Sequence, residues 1–241
     1  MITLYDLGPI QTPKEWGMSP FTRKVIFTLN YKKLPFEIIH LPLDEIESEA
    51  KSLGVLPTRH FDGPTKYTVP FIHDSQTGKV LSDSLPIAEY LDEAYPDAPK
   101  VFPAGRRALQ KVFIDATLPK FAPLVPLYLD RMVDYAASPP IQVELARCFG
   151  AFPPQLTDEQ HAEMWKKAEA SFNELETAYG AAGGMFVTGD KPVFVDFSLA
   201  GLLAGIKLSF GEESEEWERT SKWIGGRVGK VVSEAMKYER A

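Results

Sequence analysis

The sequence predicts a small α/β domain followed by an all-α domain, and three observations carry that prediction. The first hundred residues alternate strand-like and helix-like runs in the order β-α-β, then two short β-rich pieces, then a helix. The stretch Tyr95-Pro96-Asp97-Ala98-Pro99-Lys100-Val101-Phe102-Pro103 carries three prolines and no periodicity, which is the composition of a linker. Beyond it every periodic segment is helical. The expected domains are therefore residues 1–98 and 104–241.

Each element follows from its residues. Ile2 to Leu7 and Phe36 to Leu41 alternate or run apolar and read as strands, while Ser19 to Tyr31 spaces Phe21, Val25, Ile26 and Leu29 as a helix does. Val69 to Asp74 and Lys79 to Leu81 are short strands joined by the turn Ser75-Gln76-Thr77-Gly78, and Ser84 to Ala94 closes the set as a helix. Between Asp44 and Thr68 the pattern allows one short helix and then a long Gly/Pro/His-rich loop. In the second half a helix begins near Gly105 and meets Pro119, Pro123 and Pro126, which force kinks or breaks. Another starts at Thr157, where Thr157-Asp158-Glu159-Gln160 fits a capping box, and runs to near Gly180.

Composition narrows the functional classes. The longest apolar run, Phe197 to Ile206, falls short of the roughly 20 residues a membrane span needs. The chain enters Ile2-Thr3-Leu4-Tyr5 with no basic segment or signal-type apolar core, so the expected location is the cytoplasm. A single cysteine, Cys148, excludes an internal disulfide and a thiolate metal cluster, and the four histidines have no metal-ligand spacing, so no metal is expected. A net charge of −7 argues against nucleic acid as a partner and requires local donors for any anionic ligand.

Three short motifs carry chemistry. Ser19-Pro20 opens an apolar-periodic helix, with Ser19 as N-cap and Pro20 as first helical residue. Val69-Pro70 stands at the start of a strand, where a backbone edge can pair with an extended peptide. Asp83-Ser84 opens the next helix, where Ser84 and the helix amides suit an α-carboxylate and Asp83 suits the neighbouring ammonium. Taken singly, each is an ordinary cap or an edge proline. Together and in this order they describe a site for a small zwitterionic thiol peptide. The energetics allow it: lowering a thiol pKa from about 8.5 to about 6.5 takes about 2.7 kcal/mol. A hydrogen bond to the charged sulfur supplies about 1.5–3 kcal/mol and a helix terminus about 0.3–1 kcal/mol.

At this point the chain resembles the glutathione transferase superfamily. The resemblance rests on Ser19-Pro20-Phe21-Thr22-Arg23-Lys24-Val25, on Thr68-Val69-Pro70-Phe71-Ile72, and on Asp83-Ser84-Leu85-Pro86-Ile87-Ala88-Glu89-Tyr90-Leu91. It extends to Gly189-Asp190-Lys191-Pro192 leading to Asp196. The Ser-Pro-Phe start and the long insertion after the second strand look most like the etherase-related fungal class A, or FuA. The resemblance implies an α/β thioredoxin-like N-terminal domain that binds glutathione, an all-α C-terminal domain that supplies the acceptor pocket, and a homodimer. It implies Ser19 as the thiolate-stabilising residue, Val69 with Thr68 and Pro70 as the backbone partner of the cysteinyl unit, and Asp83 and Ser84 as the γ-glutamyl site. With serine where cysteine-type relatives carry cysteine, conjugation of the glutathione thiolate to hydrophobic electrophiles, or peroxide reduction, is expected. A ligandin-like carrier of aromatic or polyphenolic molecules and glutathione-dependent aryl ether cleavage are the alternatives.

Three departures from the family pattern bear on the site. The Asp44 to Thr68 segment is long, which leaves His40, Arg59 and Lys66 as candidates for the glycine carboxylate. Val193 stands where the family caps the helix of Asp196 with serine or threonine, and Asp196 itself reads as a folding determinant. The Gly8 to Met18 loop is extended and brings Trp16 and Met18 beside Ser19 in sequence. Tyr5, after the start of the first strand, is the rival hydroxyl. Phe113, Thr117, Phe121 and Tyr128 fall at helical spacing and are candidate acceptor-pocket residues, although such a stripe serves a core equally well.

Overall fold

The computed structural model describes residues 1–8, 19–59, 65–132, 142–143, 146, 155–181 and 183–239. Its N-terminal half is organised by one strand, β1 (Ile2–Leu7), whose alternation serves both faces of a sheet. Ile2 and Leu4 pack with Val25, Ile26, Leu29, Ile72, Ile87 and Leu91 on one face. Tyr5 packs with Leu41, Ile46, Ala50, Val55 and Phe71 on the other. Asp6 therefore shares the face of Ile2 and Leu4, and Tyr5 does not.

Around β1 the sheet is mixed. Strand β2 (Phe36–Leu41) runs parallel to it, in register from Ile2 against Phe36 to Leu7 against Leu41. A parallel pair needs a crossover, and helix α1 (Pro20–Tyr31) supplies it on the Ile2 face. On the other edge β5 (Phe71–Asp74) pairs antiparallel with β1, and β6 (Lys79–Ser82) pairs with β5 through the turn at residues 75–78, giving the order β2-β1-β5-β6. Gly78 takes φ +70° there, a conformation that costs glycine nothing. Helix α3 (Ser84–Ala94) returns over the α1 face and α2 (Ile46–Ser52) covers the opposite one. Within the long segment after α2 the structure adds what the residue pattern did not reveal, a hairpin of two two-residue strands, β3 (Thr58–Arg59) and β4 (Thr65–Lys66).

The second half is helical, as expected. Helix α4 (Arg107–Thr117) stops before Pro119, a 3₁₀ turn spans Leu118–Phe121, and α5 (Leu124–Met132) resumes with Pro126 in its first turn. The Thr157 capping box forms: Gln160 N–H donates to Thr157 Oγ1 at 3.3 Å and Thr157 N–H to Gln160 Oε1 at 2.9 Å. It opens α6 (Asp158–Asn173), which a short α7 (Glu176–Gly180) follows. Helix α8 (Phe194–Phe210) is apolar all round and is buried from Phe194 to Ile206, because α1, α4, α5, α9 (Glu215–Ser221) and α10 (Trp223–Ala235) surround it. No helix among the described residues is long and apolar enough to cross a membrane.

Four fastenings hold the halves together. Helix α1 crosses α8 at Gly201, where a Cβ would stand 3.0 Å from both the Lys24 Cγ and the Pro20 carbonyl oxygen, so any side chain there would push the two helices apart by a few tenths of an ångström. The buried Asp92 carboxylate accepts hydrogen bonds from Lys32 Nζ at 2.7 Å, Phe102 N–H at 2.8 Å and Val101 N–H at 3.1 Å, which pins the linker. Gln110 donates to the Val101 carbonyl and accepts from Val195 N–H, both at 3.0 Å. The segment after α10 returns to α1, with Arg23 Nε paired to Glu239 Oε1 at 3.0 Å and Asn30 Nδ2 donating to the Tyr238 carbonyl at 2.7 Å.

Asp196 serves two loops. Its carboxylate accepts from Val187 N–H at 2.9 Å and Val193 N–H at 3.0 Å. Val193 offers only its backbone, so the α8 cap is carried from the Asp196 side alone. Burial pushes the Asp196 carboxyl up from 3.8 to about 6, against the pull of those two N–H groups and of Arg227. A folded pKa above the unfolded one gives stability that is full below pH ~4 and is lost as pH rises through ~6. Relative to Asp196→Asn, the unaltered protein is expected to lose about 3 kcal/mol of unfolding free energy between pH 4 and pH 7. Urea unfolding of both proteins across that range checks it, and parallel pH profiles would remove the assignment.

Candidate functional site

The site is built where α1 and α3 begin, at the end of the sheet to which β5 and β6 carry their flanking residues. Ser19 has extended backbone angles, φ −75° and ψ 116°, and caps α1, its Oγ accepting from Thr22 N–H at 3.2 Å. A hydroxyl has two lone pairs and one proton. The cap uses a lone pair and leaves the proton available to a ligand at the positive end of a 12-residue helix. Beneath this turn lies Asp6, buried, with Oδ1 accepting from Leu7 N–H at 2.7 Å. Burial pushes the Asp6 carboxyl up to about 6, partly offset by the Thr22 hydroxyl, Leu7 N–H, the Arg23 charge and Ser19 N–H. Asp6 thus places a buried carboxyl against the first turn of α1.

The β5–β6 register, with Phe71 opposite Ser82, sets Val69 and Pro70 across from Asp83 and Ser84. The Val69–Pro70 peptide is cis, and the Pro70 carbonyl accepts from Asp83 N–H at 3.1 Å. Thr68 leads into this step. Asp83 takes φ +73° and ψ 137°, a region that disfavours any side chain. Its carboxylate makes no cap to α3, contrary to an ordinary capping role, and its one hydrogen bond among the described residues is from the Ser84 hydroxyl at 3.4 Å. Ser84 is buried as the first residue of α3. The first amides of this 11-residue helix are left without a side-chain cap.

One residue joins the two helix starts and was missed by sequence reasoning. Lys24 lies one turn beyond Ser19 and is buried at 3% exposure, its Nζ 4.4 Å from the Phe21 ring centroid. Among the described residues its ammonium makes no hydrogen bond or ion pair. Burial pulls its ammonium down to about 8, against the attraction of Asp83. The available signal was its place beside Val25 on the buried side of α1, where a lysine has to find an anion.

The remaining candidates divide. Tyr5 stacks on Phe71 at 4.4 Å on the α2 face, so the sheet separates it from Ser19. His40 is exposed on edge strand β2, across from Asp6, and partial burial lowers its pKa. Arg59 and Lys66 sit on the β3–β4 hairpin, and Lys66 stands three residues before Val69. The Ser82 hydroxyl donates to the Leu56 carbonyl at 2.9 Å, which holds the approach to that hairpin beside the end of β6.

Trp16 and Met18 lie outside the described residues. Phe121 and Tyr128 are buried in the helical core, and Tyr128 fills the notch left by Gly205 while donating to the Leu202 carbonyl at 2.6 Å. Thr117 is buried and donates back to the Ile114 carbonyl at 3.2 Å, and Phe113 meets Tyr179 edge-on at 5.5 Å. These four side chains are occupied in packing.

Comparison with known proteins converges on one family. Residues 108–238 match the family model described as glutathione S-transferase, C-terminal domain, and residues 18–94 match the N-terminal domain model. The chain is similar to the glutathione S-transferase CsGST63524 of Ceriporiopsis subvermispora, solved in complex with glutathione. The identity is 31%, the TM-score 0.87, and the match covers 100% of this chain and 98% of that one. GSTFuA3 of Phanerochaete chrysosporium gives 29% identity and a TM-score of 0.85, over 100% and 98% of the two chains. The glutathione S-transferase-like protein ustS of Aspergillus flavus is 27% identical over 90% of this chain and 87% of its own length. The two-domain architecture, the serine-headed first helix and these matches together establish that the chain belongs to the glutathione S-transferase family, with the fungal FuA proteins among its structural neighbours.

Proposed function

We propose that the protein binds glutathione along the Val69, Asp83, Ser84 and Ser19 edge, stabilises its thiolate, and directs that thiolate at hydrophobic electrophiles. The observation that carries this is the Ser19 hydroxyl, which caps α1 through a lone pair and keeps its proton for the sulfur. The Val69 backbone pairs with the cysteinyl unit as an added strand. The α3 amides and Ser84 take the γ-glutamyl carboxylate, Lys24 supplies the balancing charge from within the protein, and Asp83 accepts the α-ammonium. His40, Arg59 and Lys66 are the reserve of donors for the glycine carboxylate.

The chemistry then needs no covalent protein intermediate. The thiol proton leaves to solvent, the sulfur forms the new bond to carbon, and the electrophile's leaving group departs with its electron pair. Ser19 and the helix terminus lower the cost of the anion, and the bound geometry supplies proximity. A charge-assisted hydrogen bond of about 1.5–3 kcal/mol is worth roughly ten- to a hundredfold in thiolate population.

Three outcomes test the assignment. In Ser19→Ala, glutathione affinity is expected to stay within about threefold while the bound thiol pKa rises toward about 8.5 and conjugation falls about tenfold or more. Ultraviolet titration of the bound thiolate reads this. An unshifted thiol combined with saturable uptake of aromatic ligands would instead make the protein a ligandin-like carrier. Lys24→Met should weaken S-methylglutathione, which has no thiol to titrate, by about tenfold in calorimetry; equal affinity would remove Lys24 from the site. Asp83→Gly and Asp83→Ala both delete the carboxylate, but glycine relieves the positive φ. The glycine variant should unfold about 1 kcal/mol later than the alanine variant, with glutathione affinity lowered in both.

A further inference from the structure

The last described residues return to the helix that Ser19 heads and meet it at two points. After α10 a single 3₁₀ turn (Met236–Tyr238) lies against α1. Asn30 Nδ2 donates to the Tyr238 carbonyl at 2.7 Å, and the Tyr238 ring packs edge-on with Tyr31 at 5.4 Å and Phe197 at 5.7 Å. The second point is Glu239, whose Oε1 accepts from Arg23 Nε at 3.0 Å. Asn30 and Arg23 are seven positions apart, about 10 Å along the helix, so this segment runs from the end of α1 toward its beginning.

The Arg23 contact bears on the site because of where Arg23 stands. Its N–H donates to the Ser19 carbonyl at 3.3 Å and closes the first turn of α1, the turn in which Ser19 Oγ accepts from Thr22 N–H. The guanidinium and the Glu239 carboxylate are both buried, and the Arg23 charge reaches Asp6 against the same turn. A buried ion pair is weak evidence of stabilisation, since apolar residues of similar size often do as well. What it adds is direction, because the planar guanidinium is pre-organised for its acceptor. Gly201 of α8 meets this turn at Pro20 and Lys24, and Glu239 meets it at Arg23, so two elements of the other half fix it.

We propose that Glu239 is a positioning residue for the glutathione reaction, which through Arg23 fixes the first turn of α1 and with it the direction of the Ser19 hydroxyl toward the sulfur. This rests on the reading of Ser19 given above. Val69, Asp83 and Ser84 ride on the sheet and α3 instead, so loss of the pair is felt at the sulfur rather than at the γ-glutamyl end.

The double variant Arg23→Met/Glu239→Leu removes one charge of each sign and leaves neither buried and unpaired. It is expected to fold and to bind S-methylglutathione within threefold of the unaltered protein. Ultraviolet titration should find the pKa of the bound glutathione thiol raised by about 1, with conjugation about tenfold slower. Glu239→Gln keeps an oxygen for Arg23 Nε and is expected to rescue both the thiol pKa and the rate. A purely structural pair would lower the thermal midpoint of the double variant and leave its bound thiol unmoved, which would overturn this inference alone. So would a Glu239→Gln variant whose thiol moves as far as that of the double variant, since charge rather than geometry would then be acting. An unshifted thiol on the unaltered protein is a different result, and it would sink the Ser19 reading together with this one.

Discussion

The crossing of α1 over α8 at Gly201 is the constraint on which the rest of the structure depends. The Ser19 hydroxyl of the proposed site heads α1, yet that helix is covered in part by the other domain. Any side chain at Gly201 would push against the Pro20 carbonyl and the Lys24 stem, one residue and five residues beyond Ser19. A displacement of a few tenths of an ångström there moves the hydroxyl relative to Val69 and Asp83, which are fixed to the sheet. Catalytic geometry is sensitive on that scale. The interior of the helical domain is therefore also the foundation of the proposed glutathione edge.

Around this crossing the protein keeps several ionisable groups out of water. Asp6, Lys24 and the Arg23–Glu239 pair all lie on or against α1. Buried charges cost stability unless paired, and replacing them by apolar groups is often neutral or better. Their arrangement has a logic in the proposed site. Asp6 lies against the Ser19 turn, and the Lys24 ammonium feels the Asp83 charge but has no hydrogen-bonded anion among the described residues. The left-handed Asp83 adds to the same expense, since a glycine would sit there without strain. Concentrated at one edge, these departures from local preference mark the site more clearly than any of its motifs alone.

Much of the fold was legible in the residues, and what was missed has physical reasons. β1, α1, β2 and α3 declared themselves through periodicity and capping, and the Thr157 box formed with the predicted partners. The β3–β4 hairpin did not, because strands of two residues have no period to read. At the site, Ser19, Val69-Pro70 and Asp83-Ser84 were visible as motifs, but the unspent Asp83 carboxylate and its positive φ were not, since aspartate before serine normally reads as a cap. Lys24 was hidden because a lysine is presumed solvated. Phe121 and Tyr128 show the reverse limit: helical spacing establishes that a face is covered, not whether a ligand or the Gly205 notch covers it.

The Arg23–Glu239 pair joins residues 216 positions apart. Translation proceeds at about 5–20 residues per second, so roughly 10–40 seconds separate the appearance of the arginine from that of its partner. For that interval the residues of α1 are made without α8 and the segment around Tyr238, which cover it in the folded protein. Of the two halves, the N-terminal one is made before the C-terminal one, yet its packing is completed only by the last described residues of the chain.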